Sequence, residues 1–194
     1  MISLEEAVAA IRAGRVIVIP TDTVYGLACD PAAAAAVEAV YELKARPPHL
    51  ELNLLAAEAH QLAGLVEMGG EARALAARFW PGALAMVCPV GPRRLAIPRA
   101  GGSLMVRVPG HDLLRALLRR TGPVASTSAN LHGEPAATTA AQAARLVGGR
   151  CAGVLDGGPG GGAASTIIDL TSRPFRVLRE GPIPREALIP ELEA

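Results

Sequence analysis

Residues 16–27 read VIVIPTDTVYGL. Val16 to Ile19 form a short β-branched run, which reads as a strand beginning at Arg15. The chain then leaves that strand into two threonines, an aspartate and a tyrosine between Pro20 and Gly26, rather than into a simple turn. Two readings fit the cluster. Thr and Asp side chains satisfy neighbouring backbone groups, so it reads as a hydrogen-bonded turn. It also reads as the floor of a ligand site, because α/β sheets place their sites at the carboxyl ends of strands.

Working outward, strands and helices mix without strict alternation. Ser3-Leu4-Glu5-Glu6 is a capping box that opens a helix, and Gly14 closes it. Asp30-Pro31 reads as an N-cap and first-turn proline for an Ala-rich helix reaching Lys44. Strands are expected over 52–56, 83–88 and 104–108, with a strand end at 124–127 and short strands near 152–155, 166–170 and 175–179. Helices are expected over 71–79, 111–120 and 140–147, the second with Leu113, Leu114, Leu117 and Leu118 on one face. The pattern predicts one α/β domain over 1–194, built on a mixed sheet and not a regular doubly wound one. Gly157 to Ala164 (GGPGGGAA) reads as a flexible surface loop or a phosphate-contacting one, and 91–102 as a second candidate mobile loop.

At 194 residues the chain can bury a core without disulfide or metal staples. Half of it is hydrophobic (51%), yet only 3% is aromatic, so the core is expected to be Leu, Val, Ile and Ala. A net charge of +1 advertises neither nucleic acid nor membrane. Cys29, Cys88 and Cys151 are odd in number and widely spaced, which fits buried thiols in a reduced, cytoplasmic compartment. The N-terminus carries acids and no apolar h-region, and no apolar run is long enough to span a membrane.

The common catalytic motifs are absent: no HExxH, no GxxxxGK[ST], no GxGxxG and no GxSxG. Three further polar clusters stand out. Lys44 and Arg46 sit at a helix end, where they either complement the helix dipole or form a cationic clamp for carboxylate or phosphate. Ser126-Thr127-Ser128-Ala129-Asn130 follows an apolar strand and is either a capped turn or a row of neutral donors and acceptors for a substrate. The third cluster is dispersed over Arg107, Ser165-Thr166 and Arg179. Arg107 alternates within an apolar strand, so its charge needs a partner, an acidic side chain or an anionic ligand. Together the clusters suggest an anion-binding cavity suited to positioning and charge neutralisation rather than to covalent catalysis.

PTDTVYGLACD, KARP, FWPGALAMV, VRVPGH, STSANLHGEP, STIIDL and VLREGPI occur in this order between residues 4 and 186. In these strings the chain resembles the YrdC-like family, which includes the bacterial threonylcarbamoyl-AMP synthases. The resemblance implies a twisted, mainly parallel or mixed α/β sheet around a concave, positively charged cavity, in the minimal single-domain form. It implies a reaction joining L-threonine, bicarbonate and ATP into threonylcarbamoyl-AMP with release of pyrophosphate. That product feeds the t6A modification of ANN-decoding tRNAs through a separate tRNA threonylcarbamoyl transferase complex. Carried onto this sequence, Thr23 and Tyr25 bound the threonine side, and Arg107 pairs with the threonine carboxylate. Lys44 and Arg46 face the ATP phosphates and the carbamate. Ser128 and Asn130 hold substrate and nucleotide in register, and Ser165 and Arg179 close the nucleotide side. Mg²⁺ is expected to come with ATP, without a tightly bound protein metal site.

The chain departs from the family pattern after KARP, where Leu50 and Glu51 replace an expected Lys-Pro beside His49. His132 stands where serine is common, and Asp112 where proline is usual. The Leu50-Glu51 change favours a second class, a YciO-like paralogue that binds nucleotide or weakly binds tRNA or double-stranded RNA. The intact STSAN string favours the synthase. A third class, a stand-alone relative of the carbamoyl-adenylate domain of hydrogenase maturation proteins, lacks its usual acylphosphatase and zinc-finger neighbours.

Overall fold

The computed structural model describes residues 1–45, 52–98, 100–131 and 133–192. The opening stretch is a hairpin. β1 (Ile17–Ile19) leads into the polar cluster, and the chain returns antiparallel as β2 (Gly26–Cys29), with Ile19 opposite Gly26. Sequence reasoning missed β2 because all four of its residues are buried, so no alternation marks it. The other strands are β3 (Asn53–Leu55), β4 (Leu84–Pro89), β5 (Ser103–Arg107), β6 (Val124–Ser128), β7 (Thr166–Asp169) and β8 (Arg176–Arg179). The described residues make one eight-stranded sheet in the order β1-β2-β6-β3-β5-β4-β7-β8. Among the described strands only β3–β5 and β4–β7 pair in parallel, so the sheet is mixed, as the sequence pattern predicts.

The helices are α1 (Leu4–Arg12), α2 (Ala34–Lys44), α3 (Gly70–Phe79), α4 (Asp112–Thr121), α5 (Ala140–Leu146) and a short α6 (Arg185–Leu188) that sequence reasoning did not anticipate. The capping box forms as read: Ser3 N–H donates to Glu6 Oε2 at 2.8 Å, and Glu6 N–H to Ser3 Oγ at 3.3 Å. α2 starts later than expected, with Ala33 at its N-cap. Asp30 instead accepts the Ala32 N–H at 2.8 Å, closing a local turn before the helix. The region 152–155 forms isolated bridges to Ile2 and Val18 and no full strand.

Two helical layers sandwich part of the sheet. α2, α3 and α5 pack on one face, over Leu27, Leu54, Met86 and Val106. α1 and α4 pack on the other, over Ile17, Ile19, Ala28, Leu55 and Val124, which belong to β1, β2, β3 and β6. That second face continues past the two helices. Leu55 registers with Arg107, Ala85 with Ile167, and Ile167 with Arg179. These same-face positions, with Asn53 and Met105, turn toward a cavity instead of a helix.

The glycine-rich segment is a packed strap, not the flexible loop its composition suggested. Gly160 N–H donates to Thr138 O at 2.8 Å, Gly161 N–H to Asp22 O at 3.2 Å and Gly162 N–H to Thr23 O at 2.9 Å. A Cβ at Gly160 would lie 2.6 Å from Thr23 O, so the close approach requires glycine. The described part of 91–102 is likewise tied down: Gly91, Arg93 and Ala96 donate backbone bonds to Leu65, Gly64 and Pro31, and Ile97 is buried. Among the described residues, no helix is long and apolar enough to cross a membrane.

Candidate functional site

The cavity has a volume of about 330 Å³. Its walls come from the β1–β2 loop (Thr21, Thr23, Val24, Tyr25), the end of β6 with Asn130, the uncovered sheet face, and Ser165 and Arg179. Arg107 organises one side. It ends β5 and, by strand alternation, points opposite to Val106, which lies in the core. Its Nε donates to Gly82 O at 2.8 Å, and its Nη1 to Thr23 Oγ1 at 2.9 Å and Ser165 Oγ at 2.5 Å. Its Nη2 donates to Asp22 Oδ1 at 2.5 Å in an ion pair. Burial pushes the guanidinium below its ordinary value, and Asp22 pulls it back up. Four chain segments therefore meet at one planar cation.

The polar loop is both of the things its sequence suggested. Thr21 Oγ1 accepts from the N–H of Thr23 at 3.0 Å and of Val24 at 3.1 Å, so the turn is self-satisfied. Thr21 and Thr23 nonetheless line the cavity. Tyr25 lines it too, but its hydroxyl is committed elsewhere. It donates to Gly158 O at 2.7 Å and accepts from Gly157 N–H at 3.2 Å, anchoring the strap. Burial, with Asp156 nearby, pushes the phenol above its ordinary value.

Lys44 organises the other side. It is the last residue of α2, and Ala45 after it turns the chain with φ 49° and ψ 40°, a left-handed conformation uncommon outside glycine. Lys44 is 1% exposed and stands behind the wall formed by Ser128 and Asn130. Its ammonium donates to Ser128 O at 2.6 Å, Asn130 Oδ1 at 2.7 Å, Asn130 O at 3.1 Å and Ser128 Oγ at 3.3 Å. Ser128 Oγ donates to Asn130 Oδ1 at 2.6 Å, and Asn130 Nδ2 donates to Glu134 O. The STSAN string is thus a hydrogen-bonded wall with a buried cation at its back.

Of the nine expected site residues, Thr23, Tyr25, Arg107, Ser128, Asn130, Ser165 and Arg179 line one cavity, and Lys44 contacts its wall. Arg46 lies outside the described residues, as do His49, Leu50, Glu51 and His132. Arg179 donates through Nε to Ser165 O at 2.9 Å, and burial pushes its guanidinium below its ordinary value. Asp112 is simply the first residue of α4, where an acid suits the helix dipole, and His111 caps that helix through Nδ1. Sequence reasoning held Asp22 and Ser126 within its polar clusters without naming them as site residues, and it did not select Asn53, Met105 or Glu134. Alternation was the available signal for two of them: Met105 is two residues from Arg107, and Ser126 two from Ser128.

Burial pushes the thiols of Cys29 and Cys88 up to about 12 and that of Cys151 up to about 11. None of the three lines the cavity, so positioning and electrostatics are what the described site offers. Among the described residues, no group of three or more His, Cys, Asp or Glu side chains could hold a metal ion.

The family model Sua5/YciO/YrdC, described as telomere recombination, matches residues 9–181. The chain belongs to the Sua5/YciO/YrdC family. A threonylcarbamoyl-AMP synthase of Stenotrophomonas maltophilia is 42% identical over 175 residues, covering 86% of this chain and 92% of the relative. Among solved structures, P. abyssi Sua5 complexed with L-threonine matches with a TM-score of 0.91 and 35% identity over 97% of this chain. The match covers 57% of that Sua5, so the chain spans little more than half its length. E. coli YciO matches with a TM-score of 0.84 and 26% identity, over 95% of this chain and 92% of YciO.

Proposed function

We propose that this chain is a threonylcarbamoyl-AMP synthase, a nucleotidyl-transferring enzyme acting on L-threonine, bicarbonate and MgATP. The observation that carries the reading is one cavity with Arg107, Thr23 and Ser165 on one side and the Lys44-backed Ser128–Asn130 wall on the other. The family synthases and the threonine complex of P. abyssi Sua5 support it.

In this reading the threonine carboxylate binds at the Arg107 side. Asp22 holds Nη2 and fixes the plane of the guanidinium, while Nη1 turns from the hydroxyls of Thr23 and Ser165 toward the carboxylate. The threonine amine takes up carbon dioxide from bicarbonate to give a carbamate. A carbamate oxygen then attacks the α-phosphorus of ATP in line, and pyrophosphate leaves. Negative charge gathers at that phosphorus. Ser128 and Asn130 orient the nucleotide, with the Lys44 charge directly behind them and Arg46 at the phosphates. Mg²⁺ arrives with ATP and supplies charge neutralisation when bound. Residues 1–194 act as a single catalytic domain in the cytoplasm and hand the adenylate to a tRNA threonylcarbamoyl transferase complex.

The test is pyrophosphate release by the purified protein with MgATP and bicarbonate, with and without L-threonine. Threonine-dependent release is expected. A folded protein that binds ATP yet releases none would overturn the synthase reading. A steep salt dependence of tRNA binding in the same protein would then point to the RNA-binding paralogue.

A further inference from the structure

Among the described residues, a single buried side-chain nitrogen or oxygen has no hydrogen-bond partner: Oδ1 of Asn53. Asn53 opens β3 and lines the cavity. Its neighbours along the strand, Leu54 and Leu55, are apolar and buried. Nothing in strand formation calls for a carboxamide here, and a buried acceptor left unmade is costlier than an apolar side chain of like size. A polar group on a bound ligand would supply the missing partner.

The sheet register says what surrounds it. Ser126 on β6 lies directly opposite Asn53, is buried, and lines the same wall. Leu55 lies beside Arg107, so Asn53, two residues back on the same face, is about 7 Å along the strand from the Arg107 row. The cations of this cavity suit the charged parts of a ligand. Asn53 has no charge to offer. Its amide presents one acceptor and two donors in a plane, and the Ser126 hydroxyl can turn to give or accept.

We propose that Asn53, with Ser126 beside it, is a specificity-determining residue that reads a neutral group carrying both a donor and an acceptor on the bound substrate. The inference rests on the synthase reading, whose substrates offer two such groups. One is the side-chain hydroxyl of threonine. The other is the amino edge of adenine, which carboxamides read with paired hydrogen bonds.

Calorimetric titrations of the wild-type chain and Asn53→Leu separate these sources. L-threonine is compared with L-2-aminobutyrate, which lacks the hydroxyl, and ATP with ITP, which lacks the amino group. The wild type is expected to prefer the natural member of one pair by about tenfold or more. Asn53→Leu is expected to erase that preference while melting no lower, since the orphaned acceptor is gone. Asn53→Ala, which adds no bulk to the floor, gives the same readout should leucine disturb folding. Preferences that survive both substitutions, or a wild type that prefers neither natural ligand, overturn the inference and leave the synthase reading standing. A folded wild type that binds neither threonine nor ATP contradicts the synthase reading and removes this inference with it.

Discussion

The two sides of the cavity each contain a buried cation, and they are built differently. Arg107 is a junction: the Asp22–Thr23 loop, the turn at Gly82, β5 and Ser165 all converge on one guanidinium. Lys44 braces one short segment, Ser128 to Asn130, through four hydrogen bonds. The first cation is as much a fold element as a site residue. The second backs the Ser128–Asn130 wall. Substitutions at the two should therefore divide their effects between stability and turnover in different proportions.

Arg107→Met tests the junction hardest. Breaking a buried ion pair typically costs about 3–5 kcal/mol. Asp22 keeps some solvent access, 19% of its side chain, which puts the expected loss near about 3 kcal/mol. For a chain of this size that is a melting temperature lower by about 6–12 °C, read by calorimetry. Threonine-dependent turnover should vanish with it. A variant that melts like the wild type would show that the four-segment junction carries no stability.

Lys44→Ala should split the other way. Adenylate formation is expected to fall about 10²–10³-fold, as for loss of a preorganised donor at a charged transition state. The protein stays folded, with stability reduced by about 1–3 kcal/mol for the wall oxygens it abandons. Wild-type rates in this variant would remove Lys44 from the mechanism. Gly160→Ala sharpens the contrast by disturbing one side only. The new Cβ would press on Thr23 O, so the KM for threonine should rise several-fold while the KM for ATP stays put. Equal shifts in both would mean that the sides are mechanically coupled. The smallest effect concerns the thiols. Cys29 and Cys88, pushed up to about 12 by burial, should resist alkylation at mildly alkaline pH in the native protein. Cys151, half-buried at about 11, should react sooner. Fast labelling of Cys88 would contradict its complete burial on β4.

The same contrast shows what was legible in the sequence. Arg107 announced itself, because a charge set between Val106 and Val108 in an apolar strand needs a partner. Its partner Asp22 lies 85 residues away, and no local pattern joins the two. STSAN and KARP could be read as polar clusters at element ends. That Lys44 turns inward behind Asn130 depends on the left-handed Ala45 and on the packing of α2, which spacing does not encode. β2 was invisible because packing on both faces of the sheet buries every residue, Leu27 and Cys29 on one face and Ala28 on the other. The glycine strap misled in the opposite sense. Composition reads GGPGGGAA as flexible, whereas the structure uses glycine so that the strap can lie against Thr23 O. Asn53 carried no signal at all, since a single polar residue in a short strand is ordinary until its missing partner is seen.

The most direct test of the account is mass spectrometry of a quenched reaction containing the protein, MgATP, L-threonine and isotopically labelled bicarbonate. The account predicts a threonylcarbamoyl adenylate that carries one labelled carbon and that is lost in Arg107→Met and Lys44→Ala. Absence of that product from wild-type protein shown to bind both ATP and threonine would contradict it.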